Sequence, residues 1–131
     1  MRTVALALAV FVFPVSSAIQ ERDGPQTSGN EFIRMCSAID KSGKSDEEMV
    51  RATACVYYVT GVVDGIHLEW AFAYANTNKE SPTPFCLPNK VEGGQIVRVT
   101  IEFLRNHPER AHSATSTVIG SALQEAFPCK K

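Results

Sequence analysis

The sequence predicts an all-α fold, a small bundle of four main helices stapled by two disulfides. Two observations carry the helical part. From Met49 to Ala73 apolar residues recur in alternating steps of three and four, an unbroken helical seam, and no stretch alternates polar and apolar residues as a strand would. A third concerns the staples. Four cysteines stand at 36, 55, 86 and 129 behind an N-terminus that reads as an export signal, and an even count in a small exported domain reads as disulfides.

Residues 1–18, MRTVALALAVFVFPVSSA, have a basic start at Arg2, an apolar run from Val4 to Val15, and small residues at Ser16 and Ala18. This is the pattern of a secretory signal peptide, and the run falls short of the roughly 20 residues that span a bilayer. Cleavage after Ala18 leaves the chain from Ile19 to Lys131, enough for one domain. It also removes Arg2, the only charge in the segment, and takes the formal net charge from −1 to −2. That balance offers no electrostatic footprint for nucleic acid.

Residues 19–29 are polar, carry Gly24, Pro25 and Gly29, and read as a flexible lead to a helical domain over residues 30–131. Asn30 is a plausible N-cap for a first helix, whose face is Phe32, Met35, Cys36 and Ile39. Gly43 breaks that helix. Ser45, followed by acids at 46 to 48, caps the second and places negative charge where the helix dipole favours it.

The seam of the second helix runs Met49, Ala52, Val56, Val59, Val63, Ile66, Trp70, Ala73. Gly61 and Gly65 lie four apart on it. Each costs about 1 kcal/mol against alanine, so close packing by a neighbouring helix is expected to offset them. Tyr74, one turn beyond Trp70, is expected to be buried with it. Phe72 points about 200° from Trp70, under the following loop or onto a subunit interface.

Residues 75–91, rich in Asn and Pro, form a loop longer than most connections in compact domains, and such loops are often functional. A third helix is expected over about 92–106, with Ile96, Val99, Thr100, Phe103 and Leu104 on one face. A fourth follows over about 113–127, capped by Ser113, with Ile119, Ala122, Leu123 and Ala126 inward.

Between them lies FLRNHPERAH, residues 103–112. A glutamate between two histidines invites a zinc-hydrolase reading. His107 and His112 are five apart, however, and Pro108 interrupts any continuous helix carrying both, so the H-E-x-x-H geometry is missing. The stretch reads as a helix joint, with Pro108 opening a short turn, Glu109 at its N-terminus and His107 near the C-terminal dipole of the third helix. No metal and no cofactor is expected. His107, Glu109, His112 and Asp64 are the only candidates for catalysis, and they lack a nucleophile or a phosphate loop to act with; Asp64 reads as a cap or hydrogen-bonding partner for a neighbouring helix.

CVYYVTGVVDG, FCLP, a Gly-Gln before an apolar helix, FLRNHPERAH and a terminal AFPC occur in this order. Together they resemble the periplasmic immunity proteins of type VI secretion, the Tai and Rap amidase-immunity family, from about Asn30 to Cys129. The resemblance implies an all-helical periplasmic protein that is not an enzyme. Its partner would be a peptidoglycan amidase effector, which it binds and blocks to protect the producing cell, and members tend to be homodimers. Within this framework the expected pairing is Cys36 with Cys55 and Cys86 with Cys129. A loop or helix edge enters the effector cleft in such proteins; on this chain the candidate contacts are Lys79, Glu80 and Pro84 in the long loop, or Glu109 and Arg110 in the joint. A second reading is a periplasmic acid-stress chaperone of the Hde type, also small, exported, helical and cystine-bearing, with His67, His107 and His112 as its acid-sensitive groups.

Overall fold

The computed structural model describes residues 27–77 and 83–129. Four helices follow in order: α1 over Gly29–Cys36, α2 over Asp46–Tyr74, α3 over Gly93–Asn106, and α4 over Thr115–Ala126. A 3-10 turn, Pro108–Arg110, stands between the last two. Strands are absent among the described residues, apart from an isolated bridge between Ser28 and Ala114. The expected signal peptide and most of the lead, up to position 26, lie outside the described residues, as does the stretch 78–82.

The start of α1 differs from expectation. Its N-cap is Ser28, whose hydroxyl accepts from Glu31 N at 3.3 Å while the Glu31 carboxylate accepts from Ser28 N at 2.9 Å, a complete capping box. Asn30 instead lies inside the helix, where its N–H donates to Ala111 O at 3.0 Å, and Gly29 N donates to Ser113 O at 3.1 Å. The four amides that a helix start leaves without intrahelical partners, those of Ser28, Gly29, Asn30 and Glu31, are thus all satisfied, and Phe32 N opens the regular series at Ser28 O. Two of the acceptors come from the joint, beyond both α2 and α3 in the chain. Gly29 is required there, because a Cβ would lie 2.9 Å from Leu104 Cδ2 and 3.2 Å from the Ala111 backbone.

Gly43 turns the chain at φ +65°, and Ser45 with Glu48 forms a second capping box at the head of α2. Lys41 reaches forward to the Glu48 carboxylate. That contact, followed by the Ser45 amide, lowers the Glu48 pKa to about 2.

Only the middle of the α2 seam behaves as expected. Ala52, Val59 and Val63 are buried, together with Cys55, and Val56 and Ile66 pack partly against the core; Met49 is 57% exposed and Ala73 is exposed. Two physical causes act. A strict 3.5-residue seam drifts about 20° per heptad on a straight helix, and the 29 residues of α2 outrun partners of 8, 14 and 12 residues. Trp70 and Tyr74 stack on each other at 5.7 Å, both half-buried, and Phe72 is 71% exposed.

Gly61 and Gly65 do not act as packing glycines among the described residues, where nothing lies within 4 Å of a Cβ built on either. The close approach to α2 occurs at Gly93, the first residue of α3, where a Cβ would stand 2.7 Å from Val56 Cγ1 and 3.1 Å from Thr60 Oγ1.

On α3 the buried set is Ile96, Val97, Thr100, Ile101, Phe103 and Leu104, a wider face than the expected one, with Val99 only partly covered. The buried Thr100 hydroxyl donates to Ile96 O, which satisfies it. Helix α4 starts two residues later than expected. Ser113 does not cap it; Ala114 holds the cap position without a side-chain bond, and the buried Thr115 turns its amide and hydroxyl to Thr27 O. Val118, Ile119, Ala122 and Leu123 are buried, whereas Ala126 is exposed.

The disulfides are Cys36–Cys55 and Cys86–Cys129. The first joins α1 to α2 inside the core, both residues fully buried. The second is exposed and ties the loop before α3 to the segment after α4.

Candidate functional site

The second half of the long loop is fixed at several points. Phe85 is 1% exposed, plugs the core and lies 5.2 Å from the His67 ring. Next to it, Cys86 donates its amide to Phe127 O at 2.8 Å and bonds to Cys129. Pro84 is half-buried. Loops that alternate a buried anchor with a covalent tether lose little entropy on meeting a partner. Lys79 and Glu80, the charged candidates, lie outside the described residues.

At the joint, Pro108 opens the 3-10 turn as expected, and His107 is the residue that ends α3. His107 packs on Phe103, ring centroids 4.5 Å apart, with Nδ1 at 3.4 Å from Glu109 and Nε2 at 3.4 Å from Glu125 of α4. Arg110 reaches Ser121 of α4 at 3.5 Å. These side chains border a shallow cleft of about 540 Å³. The two imidazole nitrogens face different carboxylates, His112 is exposed and takes part in neither contact, and no cluster of three or more metal-ligating residues occurs among the described residues. Asp64 is exposed on α2 and makes no hydrogen bond or ion pair among the described residues, so its expected role as a cap or helix partner is not realised.

Both candidate edges converge on one end of α4. Glu125 holds the joint through His107, while Phe127 and Cys129, two and four positions further on, hold the loop through Cys86. Pro84 and the pair Glu109 and Arg110 are therefore carried by one short segment. Sequence spacing hides this, because the whole of α3 separates the loop from the joint, but the AFPC terminus contains the signal: one cysteine with Phe127 before it.

No described helix is long and apolar enough to cross a membrane. The fold thus defines a class: a disulfide-stapled helical domain with preformed edges and two carboxylates around one histidine. The chain belongs to the Rap1a immunity protein family, whose model matches residues 28–129. The matched segment begins at the Ser28 cap and ends at the last bridged cysteine, so it covers the framework described above. Membership implies an effector protein as partner. No curated protein and no solved structure matches the chain.

Proposed function

We propose that the protein binds and inhibits a peptidoglycan amidase effector delivered by type VI secretion, and so protects the cell that produces it. The observation that carries this reading is the family match over residues 28–129, which spans both disulfides. Cell-wall amidases act outside the cytoplasm. The exported reading of residues 1–18, with cleavage after Ala18, and the two cystines support a periplasmic site of action. The protein is an inhibitor with no catalysis of its own, and it acts as a homodimer.

The proposed contact residues are Lys79, Glu80 and Pro84 of the long loop and Glu109 and Arg110 of the joint, of which Pro84, Glu109 and Arg110 belong to the two edges held by the end of α4. Anchoring by Phe85 and the exposed cystine supports this choice, since a rigid edge keeps more of its interaction energy on binding. Calorimetric titration of the mature protein against cell-wall amidases delivered by type VI secretion tests the reading. Charge reversal at Lys79 and Glu80 is expected to weaken binding more than reversal at Glu109 and Arg110, with helical content unchanged. Failure to bind any cell-wall hydrolase from competing bacteria would overturn the proposal.

A further inference from the structure

Helix α2 is apolar on two faces, and only one of them is covered. The covered face holds Ala52, Cys55, Val59 and Val63. Nearly opposite, taking every third or fourth residue from Val50 to Phe72, runs a stripe confined to about 80° of arc and about 33 Å long. Each of its residues is exposed, including Val50 at 68%, Tyr57 at 73%, Leu68 at 56% and Phe72 at 71%. At its middle are Gly61 and Gly65, with open space above both. Glycine weakens a helix, and nothing among the described residues uses the room these two create.

We propose that this face packs against α2 of a second copy of the chain, antiparallel, with Gly61 on the twofold axis. The stripe is self-complementary in that register. Each pair of facing positions sums to 122, so Gly61 meets its own symmetry mate, Tyr57 falls over Gly65 of the partner subunit, Leu68 faces Ala54, and Phe72 faces Val50. Every large side chain meets a smaller one, and the tightest approach falls where no Cβ exists, as close helix packing requires. The charges agree as well. A twofold axis across the helices brings like flanks together, and on one flank it sets Arg51 about 3 Å along the axis from Glu69 of the partner subunit, twice per dimer. Glu69 has no ion pair among the described residues, and Arg51 has only its weak helical contact with Glu47 at 3.7 Å. A one-turn shift to facing positions that sum to 126 takes Tyr57 off the glycines and moves Arg51 about 9 Å along the axis from Glu69 of the partner subunit, while the opposite shift, to 118, sets Phe72 against Asp46 and Ala54 against Asp64 of the partner subunit.

The inference gives the proposed homodimer its surface, and its test needs no effector, so its failure leaves the inhibition reading intact. Sedimentation of the mature protein is expected to show a dimer. Gly61→Leu, which favours the helix and so preserves the fold, is expected to weaken the dimer by about tenfold or more. Arg51→Glu alone is expected to weaken it, and Arg51→Glu combined with Glu69→Arg to restore it. A monomeric wild type, a dimer indifferent to Gly61→Leu, or a charge swap that fails to restore association would each overturn the proposal.

Discussion

Removing each disulfide in turn separates two contributions that the structure assigns to different bridges. Chain entropy depends on the loop closed: the sequence separations are 19 for Cys36–Cys55 and 43 for Cys86–Cys129, worth about 3 and about 4 kcal/mol respectively in the loop-closure model. On that ground the second bridge matters more. Burial acts in the opposite direction. Cys36 and Cys55 are 0% exposed within the core, so replacing both by alanine also removes two buried sulfurs, about 1 kcal/mol each, for a total of about 5 kcal/mol. Cys86 and Cys129 are exposed, and their loss leaves the core unchanged. Urea unfolding of the Cys36→Ala/Cys55→Ala and Cys86→Ala/Cys129→Ala variants is therefore expected to rank the shorter loop as the costlier to open, with the exposed pair shifting the midpoint by about 1 to 4 M. Mild reduction under native conditions should label Cys86 and Cys129 first. A larger loss from the exposed pair, or earlier labelling of Cys36 and Cys55, would refute the reasoning from burial.

Gly29→Val is expected to destabilise by about 1 to 3 kcal/mol in thermal unfolding, since its Cβ meets Leu104 and the Ala111 backbone and the seat of α1 on the joint must open. Glu48 has a folded pKa lowered to about 2 from 4.5, chiefly by Lys41. Its contribution is therefore present above pH 4.5 and fades as pH falls toward 2, so the stability gap between wild type and Glu48→Gln should close over that window. A gap independent of pH would show that the capping box does not involve the ionised form. Elemental analysis of the native protein and of His107→Ala should find no stoichiometric zinc in either; zinc lost on substitution would make the joint a metal site.

Much of the fold was legible because local chemistry and tertiary structure agree. Gly43, the Ser45 cap, the long α2 and the turn opened by Pro108 all follow from residues adjacent to the features they produce. The cap of α1 was legible too, since Ser28 and Glu31 have capping-box spacing, but the glycine beside them suggested a flexible lead instead. Less accessible were positions whose role depends on a distant element. Gly93 resembles any loop glycine until α2 is placed against it, and Gly61 and Gly65 resemble packing glycines until the inner face of α2 turns out to lie elsewhere. Periodicity identifies a helix more securely than it identifies which face is covered, because a helix apolar on two sides satisfies the pattern twice.

The same limit applies to the candidate site. Pro84, Glu109 and Arg110 could be named from their loop and joint, yet as competing alternatives, since nothing in the spacing joins Pro84 to Glu109. What joins them is the end of α4. The Glu125 carboxylate is within 3.4 Å of His107, and two positions later the Phe127 carbonyl accepts from Cys86. A short rigid segment that holds two surface edges makes their relative position a property of the folded domain, fixed before any partner arrives. Binding to one edge then presents the other at no further ordering cost. The exposed stripe of α2 belongs to the opposite case: its geometry is fixed by the helix alone, and no other element among the described residues gives its glycines a structural use.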